Sequence, residues 1–207
     1  FKNIKTDLYK VSAYVPVCKA MLDLGPEWLD RYVREILAES ISLALEQAII
    51  AGDGENGPVG IIKKLADVQA GKHQDKEAKP LADFSTESIG KEILAPLVKG
   101  KDGLGEIILV VNSADYYAKF YSFLNVQDKD GLYHKQDLPF NGSIIPSVYM
   151  PEGKMAVGEA KNYFMAIGSA LKIEYSDEYR FLDDQRVYIA KQYANGQPRK
   201  DEDFIVF

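Results

Sequence analysis

The chain has 207 residues, a single cysteine, and 31 Asp and Glu against 25 Lys and Arg, giving a formal charge of −6 and a sequence pI near 5.1. That length suits one or two compact units with a real core, at roughly 100 to 200 residues each, while the lone Cys18 excludes an intramolecular disulfide or a cysteine-based metal cluster within one chain. The acidic balance argues against coating nucleic acid by charge, which needs clustered Lys and Arg to displace counterions.

No apolar run approaches the roughly 18 to 20 residues that cross a bilayer, and the start lacks the pattern of a secretory signal. The expectation is a soluble intracellular protein with no membrane partner. The chain begins at Phe1, so an upstream piece is expected to have been removed.

Leu8 to Val17 is rich in β-branched and aromatic residues and predicts a strand. Pro16 cannot donate to a ladder, so the strand's far end is expected at an edge or boundary. Gly25-Pro26 is a helix start signal. From Glu27 to Ile50, Leu29, Val33, Leu37, Ile41, Leu45 and Ile49 recur every four residues, which predicts a long helix of roughly 35 Å. Its periodicity fits a strut and an ordinary core helix equally well. Gly52 stands where a left-handed helix cap would fall, opening a tight loop through Gly60.

Residues 70 to 87 are polar and aperiodic and read as a surface loop at a boundary between substructures. Ser85 can cap a helix through Ile89, Ile93 and Leu97, with Pro96 kinking or shortening it. Glu106 to Val111 reads as a buried strand, followed by a helix capped by Asn112 or Ser113 and carrying Tyr116, Tyr117, Phe120, Phe123 and Leu124.

Beyond the polar turn at 127–131, short strands are expected at 143–148, 155–157, 163–167 and 171–175, forming a mainly antiparallel sheet. Tyr179 to Tyr193 reads as one long strand with neither face cleanly apolar. A turn at Asn195-Gly196 and a final strand at 203–207 close the chain. The fold class is α+β.

The sequence offers little catalytic chemistry. His73 and His134, the only histidines, share no metal-ligand spacing and read as solvated loop residues. The glycine-rich loop follows a helix instead of opening one and lacks a Gly-Lys-Ser/Thr ending, so its neighbourhood of helix carbonyls repels phosphate. Asp128 with Asp130, and Asp183 with Asp184, read as acidic turns; the former lacks the distal Glu of a calcium-binding loop. Thirteen tyrosines and nine phenylalanines exceed what one small core usually needs, which favours an assembling protein. No cofactor, metal or catalytic residue is expected.

Three segments together resemble the Hong Kong 97-type major capsid proteins of tailed phages. They are the strand 8–17 leading into helix 27–50, the run Gly52-Asp53-Gly54 with Gly57-Pro58-Val59-Gly60, and Ile107 to Asn112 followed by Ser113-Ala114-Asp115-Tyr116. Asp128 to Tyr133 and Asn141 to Ser147 continue the family's order. The structural motif is assigned to Gly52, Asp53, Gly54, Gly57, Pro58 and Gly60.

The resemblance implies a spine helix, a long-stranded peripheral sheet and a mixed α/β axial domain. Segments 1–80 and 176–195 would be peripheral, and 81–175 with 196–207 axial, the N-terminal arm and most of the extended loop preceding Phe1. It implies a non-enzymatic virion subunit, assembled in the bacterial host cytoplasm into pentamers and hexamers of an icosahedral shell. The shell would enclose DNA without binding it specifically; scaffold, maturation protease and portal would be further partners.

The type member's crosslinking asparagine and glutamate would fall on Asp184 and Lys191, so no autocatalytic isopeptide bond is expected. An encapsulin-type shell subunit is the related alternative, and a small α/β ligand-binding protein using the Gly52–Gly60 loop the unrelated one.

Overall fold

A computed structural model describes residues 7–25, 28–99 and 103–207. Strand β1 (Tyr9–Cys18) and helix α1 (Lys19–Leu24) lead to helix α2 (Trp28–Ala51). Pro26 and Glu27, expected to open that helix, lie outside the described residues.

On β1 the apolar side chains alternate: Val11, Ala13, Val15 and Val17 turn toward Val33, Leu37 and Ile41 of α2. Tyr14, of opposite parity, is 73% exposed. The period of two on the strand meets the period near 3.6 on the helix, so burying one stripe of each builds a core. Tyr188 and Ala190 complete that core from strand β11 (Gln185–Pro198). β1 pairs antiparallel with β11 and is the edge of its sheet, as Pro16 requires.

A second sheet, in the order β12-β8-β4-β7, comprises β4 (Ile107–Asn112), β7 (Gly142–Ser147), β8 (Met155–Glu159) and β12 (Phe204–Val206). Strand β4 is buried on both faces. Ile107, Leu109 and Val111 pack under helix α3 (residues 86–98) through Ile89, Ile93 and Leu97, with Phe120 of helix α4 (residues 113–124). Val110 packs the other way, with Ala156 and Phe204, against Ile50, Ile61 and Ile62 at the end of α2. Covering both faces explains why β4 reads as a continuous apolar run.

The two helices carry π-helical turns at Ile89–Leu94 and Tyr116–Phe120. Ser85 caps the first by accepting from Ser88 N–H, and Asn112 caps the second by accepting from Ala114 N–H. In α3 the chain remains helical past Pro96 to Val98.

Several expectations are corrected. Residues 63–75 form a hairpin, β2 (Lys63–Gln69) and β3 (Lys72–Asp75), where a loop was expected from residue 70. Ala70 and Gly71 both have positive φ in its turn, and the polar sequence concealed it because the hairpin buries almost nothing. The strands between 142 and 175 do not share one antiparallel sheet. β7 runs parallel to β4, whereas β9 (Tyr163–Ile167) and β10 (Lys172–Arg180) run end to end along β11.

The expected long strand 179–193 is broken by a 3-10 turn at Phe181–Asp183 and by Asp184 at φ 52°. Asn195-Gly196 is not a turn but part of β11. A Cβ on Gly196 would lie 2.8 Å from Met165 Sδ and from the Phe164 carbonyl, so glycine there permits β9 to approach. A further hairpin, β5 (Asn125–Gln127) with β6 (Tyr133–Lys135), carries the acidic turn at Asp128.

Candidate functional site

The Gly52–Gly60 motif closes the end of α2. The last carbonyls of a helix have no partner within it, and here the returning chain supplies donors: Ile61 N–H to the Ile49 carbonyl at 2.8 Å and Ile62 N–H to Ile50 at 3.3 Å. Gly60 N–H donates to the Gly52 carbonyl at 2.9 Å. Two peptide segments therefore cross in contact. A Cβ on Gly52 would lie 2.3 Å from the Pro58 carbonyl, and one on Gly60 2.5 Å from the Ile50 carbonyl.

Gly52 does not take the expected left-handed conformation; Gly54, at φ 76°, does. Gly57 has neither constraint, since a Cβ there meets nothing within 4 Å. Pro58 is buried beside Val59, and Val59 N–H reaches the Gly196 carbonyl at 2.8 Å, tying the loop to β11.

The acidic residues of this loop hold a lysine of the neighbouring hairpin. Lys72 Nζ lies 3.2 Å from Asp53 and 3.1 Å from Glu55. The Glu55 amide chiefly, then Lys72, holds the Asp53 carboxyl below its ordinary pKa. His73, expected to be solvated, is half-buried, its Nδ1 2.8 Å from the Lys64 carbonyl. Because the amides of Gly60, Ile61 and Ile62 bond carbonyls at the helix end and the loop's carboxylates hold Lys72, the arrangement caps a helix.

Asp128 lies on a different hairpin, where its Oδ1 accepts from Asp130 and Leu132 amides and its Oδ2 meets His134 Nε2 at 2.6 Å. Among the described residues no group of three His, Cys, Asp or Glu could hold a metal ion. Among the described residues no helix is long and apolar enough to cross a membrane.

The first sheet is clamped by ion pairs. Arg186 grips Asp177 with two bonds of 2.7 and 3.0 Å. Arg34 bonds Asp30 at 2.7 Å, and the Tyr188 hydroxyl donates to the same carboxylate at 2.8 Å. Arg186 lowers the Asp177 pKa, Arg34 with Tyr188 lowers that of Asp30, and Lys172 with Lys191 pulls Glu174 down to about 2.

A carboxyl with a depressed folded pKa contributes stability above its unfolded value, and that contribution is lost as pH falls through the folded one. Thermal unfolding of the subunit should therefore move to lower temperature between about pH 4 and pH 2. Arg186→Met should flatten that dependence; a midpoint constant over this window would contradict the assignment.

Lys76 fastens the stretch after the second hairpin strand to the chain's end. Its ammonium, with the side chain only 10% exposed, donates to the carbonyls of Asp201 at 2.6 Å and Phe204 at 2.8 Å. Burial pushes its pKa down.

Sequence reasoning did not find this lysine, since nothing in a polar stretch marks one side chain as enclosed. It also missed the exposed aromatic cluster at the β10–β11 turn, because that turn carries no glycine or proline. Asp184 lies in that turn and not on a strand, whereas Lys191 lies on β11, where it is engaged with Glu174.

Comparison with solved structures gives the Hong Kong 97 fold. The capsid of an empty GTA particle is 18% identical with a TM-score of 0.64, over 96% of this chain and 72% of that one. Mycobacterium phage Adephagia is 15% identical with a TM-score of 0.60, over 91% and 65%. The SrpI encapsulin of Synechococcus elongatus is 16% identical with a TM-score of 0.58, over 96% and 72%. Sequence comparison with curated proteins finds no match. A family model described as the phage capsid family matches residues 1–207, and the chain belongs to that family.

Proposed function

We propose that this chain is the shell-forming subunit of a phage or prophage major capsid, a structural protein that assembles into pentamers and hexamers of an icosahedral shell around DNA. The observation that carries the reading is the family match across the whole chain. The long helix with its capped end and the two-faced sheet supply a rigid wedge. The net charge of −6 suits a wall that must enclose DNA without adhering to it.

In this reading the peripheral part is built on α2 and the β1–β11 sheet. It takes in residues 163–175 as well, since β9 and β10 are bonded to β11; the axial part is built on the β4 sheet and its helices. Scaffold, maturation protease and portal are the further partners, and the bacterial cytoplasm the place of assembly.

Expressing the complete reading frame, alone and with its neighbouring genes, should give uniform icosahedral particles by electron microscopy and light scattering. DNA inside supports the capsid reading, and an enzyme cargo would replace it with an encapsulin. Persistent monomers under every condition would overturn both. Mature particles boiled in detergent should run as single subunits, because the Asp184 and Lys191 positions do not make a crosslinking pair; covalent ladders would contradict that.

A further inference from the structure

We propose that the cavity beside residues 78–84 binds a small amphipathic carboxylic acid, a ligand with an apolar body and one anionic end. The cavity has a volume of about 680 Å³, within the range of roughly 300 to 1,000 Å³ that small-ligand sites occupy. It stands apart from the glycine motif and from the first sheet, and the shell reading does not require it.

Its walls come from three places. Leu81 and Phe84 belong to the stretch joining the β2–β3 hairpin to α3, Phe120 and Phe123 to α4, and Met155 and Phe207 to β8 and the end of the chain. Phe84 meets Phe120 edge to face at 4.9 Å between ring centres, and Phe123 at 6.4 Å, so the aromatic wall is fixed by its own packing. Phe120, Met155 and Phe207 are buried members of the core around β4, whereas Phe123 is 36% exposed. The cavity thus opens a finished core to solvent. Walls already packed before a ligand arrives lose little entropy on binding.

Charge fixes one end of the occupant. Lys79, Lys119 and Lys154 line the cavity beside a single acidic residue, Asp115. That carboxylate is engaged: its Oδ1 meets Lys119 Nζ at 2.7 Å and its Oδ2 accepts from Gly153 N–H at 2.6 Å. Among the described residues no carboxylate pairs with Lys79 or Lys154. On a chain of charge −6, this lining reverses the sign locally and favours an anion over a neutral or cationic amphiphile.

The backbone around the cavity leaves no place for a peptide added as a strand, which needs a free row of N–H and C=O groups. Met155 and Phe207 bond each other in both directions at 2.8 Å, and Lys79 N–H donates to the Val206 carbonyl at 2.9 Å. β4 is paired on both edges, with β7 and β8. What remains for a ligand is apolar side chains and lysine ammoniums, which suit a hydrocarbon body and a carboxylate.

The test is isothermal titration calorimetry of the complete protein, as unassembled subunit and as particle, with dodecanoate as the probe. Dodecanoate should saturate at one per subunit, and dodecyltrimethylammonium, of equal chain and opposite charge, should bind at least about tenfold more weakly. Lys79→Gln together with Lys154→Gln should lower the dodecanoate affinity about tenfold or more and leave the melting temperature of the ligand-free subunit unchanged. Trp28→Gln, on an exposed face of α2, should leave the affinity unchanged.

Equal affinity for the two probes, binding without saturation, or loss in the Trp28 variant but not in the lysine pair would overturn the site. Binding to the subunit and not to the particle would assign the cavity to a neighbouring copy and overturn it as well. Absence of particles would count against the shell reading alone, and the subunit titration would still decide this site.

Discussion

Replacing Gly60 with alanine should cost the subunit roughly 3 kcal/mol of unfolding free energy, while the same change at Gly57 should stay within about 0.5 kcal/mol. The added methyl at Gly60 would lie 2.5 Å from the Ile50 carbonyl and 2.8 Å from the amides of Ala51 and Gly52. All three are backbone atoms in a helix end and its closing loop, with no flexible side chain to move aside. Separating the strands of peptide would break the Gly60–Gly52 bond and draw Ile61 and Ile62 away from the carbonyls they cap. At Gly57 the same methyl meets open space. Urea unfolding of the unassembled subunit, followed by far-ultraviolet circular dichroism, distinguishes the two. Equal stability losses at both positions would show that glycine is needed there for chain flexibility and not for close approach.

Tyr188→Ala is the second large effect, at roughly 3–5 kcal/mol. Tyr188 is fully buried, centred between β1 and the α2 residues Val33, Leu37 and Ile41, so truncation leaves a ring-sized cavity in the smallest of the three cores. Tyr188→Phe keeps the ring and loses the hydroxyl, with its hydrogen bond to Asp30 and its contact with Arg186. Because the Asp30 side chain is 42% exposed and still holds Arg34, water can take the vacated position, and the cost should be about 1 kcal/mol or less. The same unfolding assay reads both. A phenylalanine variant as damaged as the alanine one would assign the stability to the hydroxyl instead of the packing.

The parts of this fold legible from sequence are those with one dominant period. The four-residue recurrence from Leu29 to Ile49 places α2 within a residue at each end. The apolar run ending at Val111 gives β4, and Ser85 and Asn112 act as the caps their side chains suggest.

What stayed hidden was decided by partners remote in the chain. The β2–β3 hairpin carries Leu65, Ala66 and Val68 on β2 without regular alternation and a wholly polar β3, so no apolar period betrays it. β9 and β10 carry the same local signals as β7 and β8, yet they join β11 because Tyr163 to Ile167 and Lys172 to Ser176 find their register there. Local sequence cannot rank two sheets that both offer an edge. The glycine motif was recognised as a unit but not explained: only the structure separates Gly52 and Gly60, required by contact, from Gly54, required by its backbone angle, and from Gly57, required by neither.

Helix α2 belongs to both halves of the subunit: it begins in one core with Val33 and ends in another with Ile50. At 24 residues it reaches roughly 36 Å, so the halves cannot hinge along it without bending a continuous helix. A load applied at one end would be carried through to the other as in a braced beam, which is the mechanical property a thin wall needs to resist pressure from within.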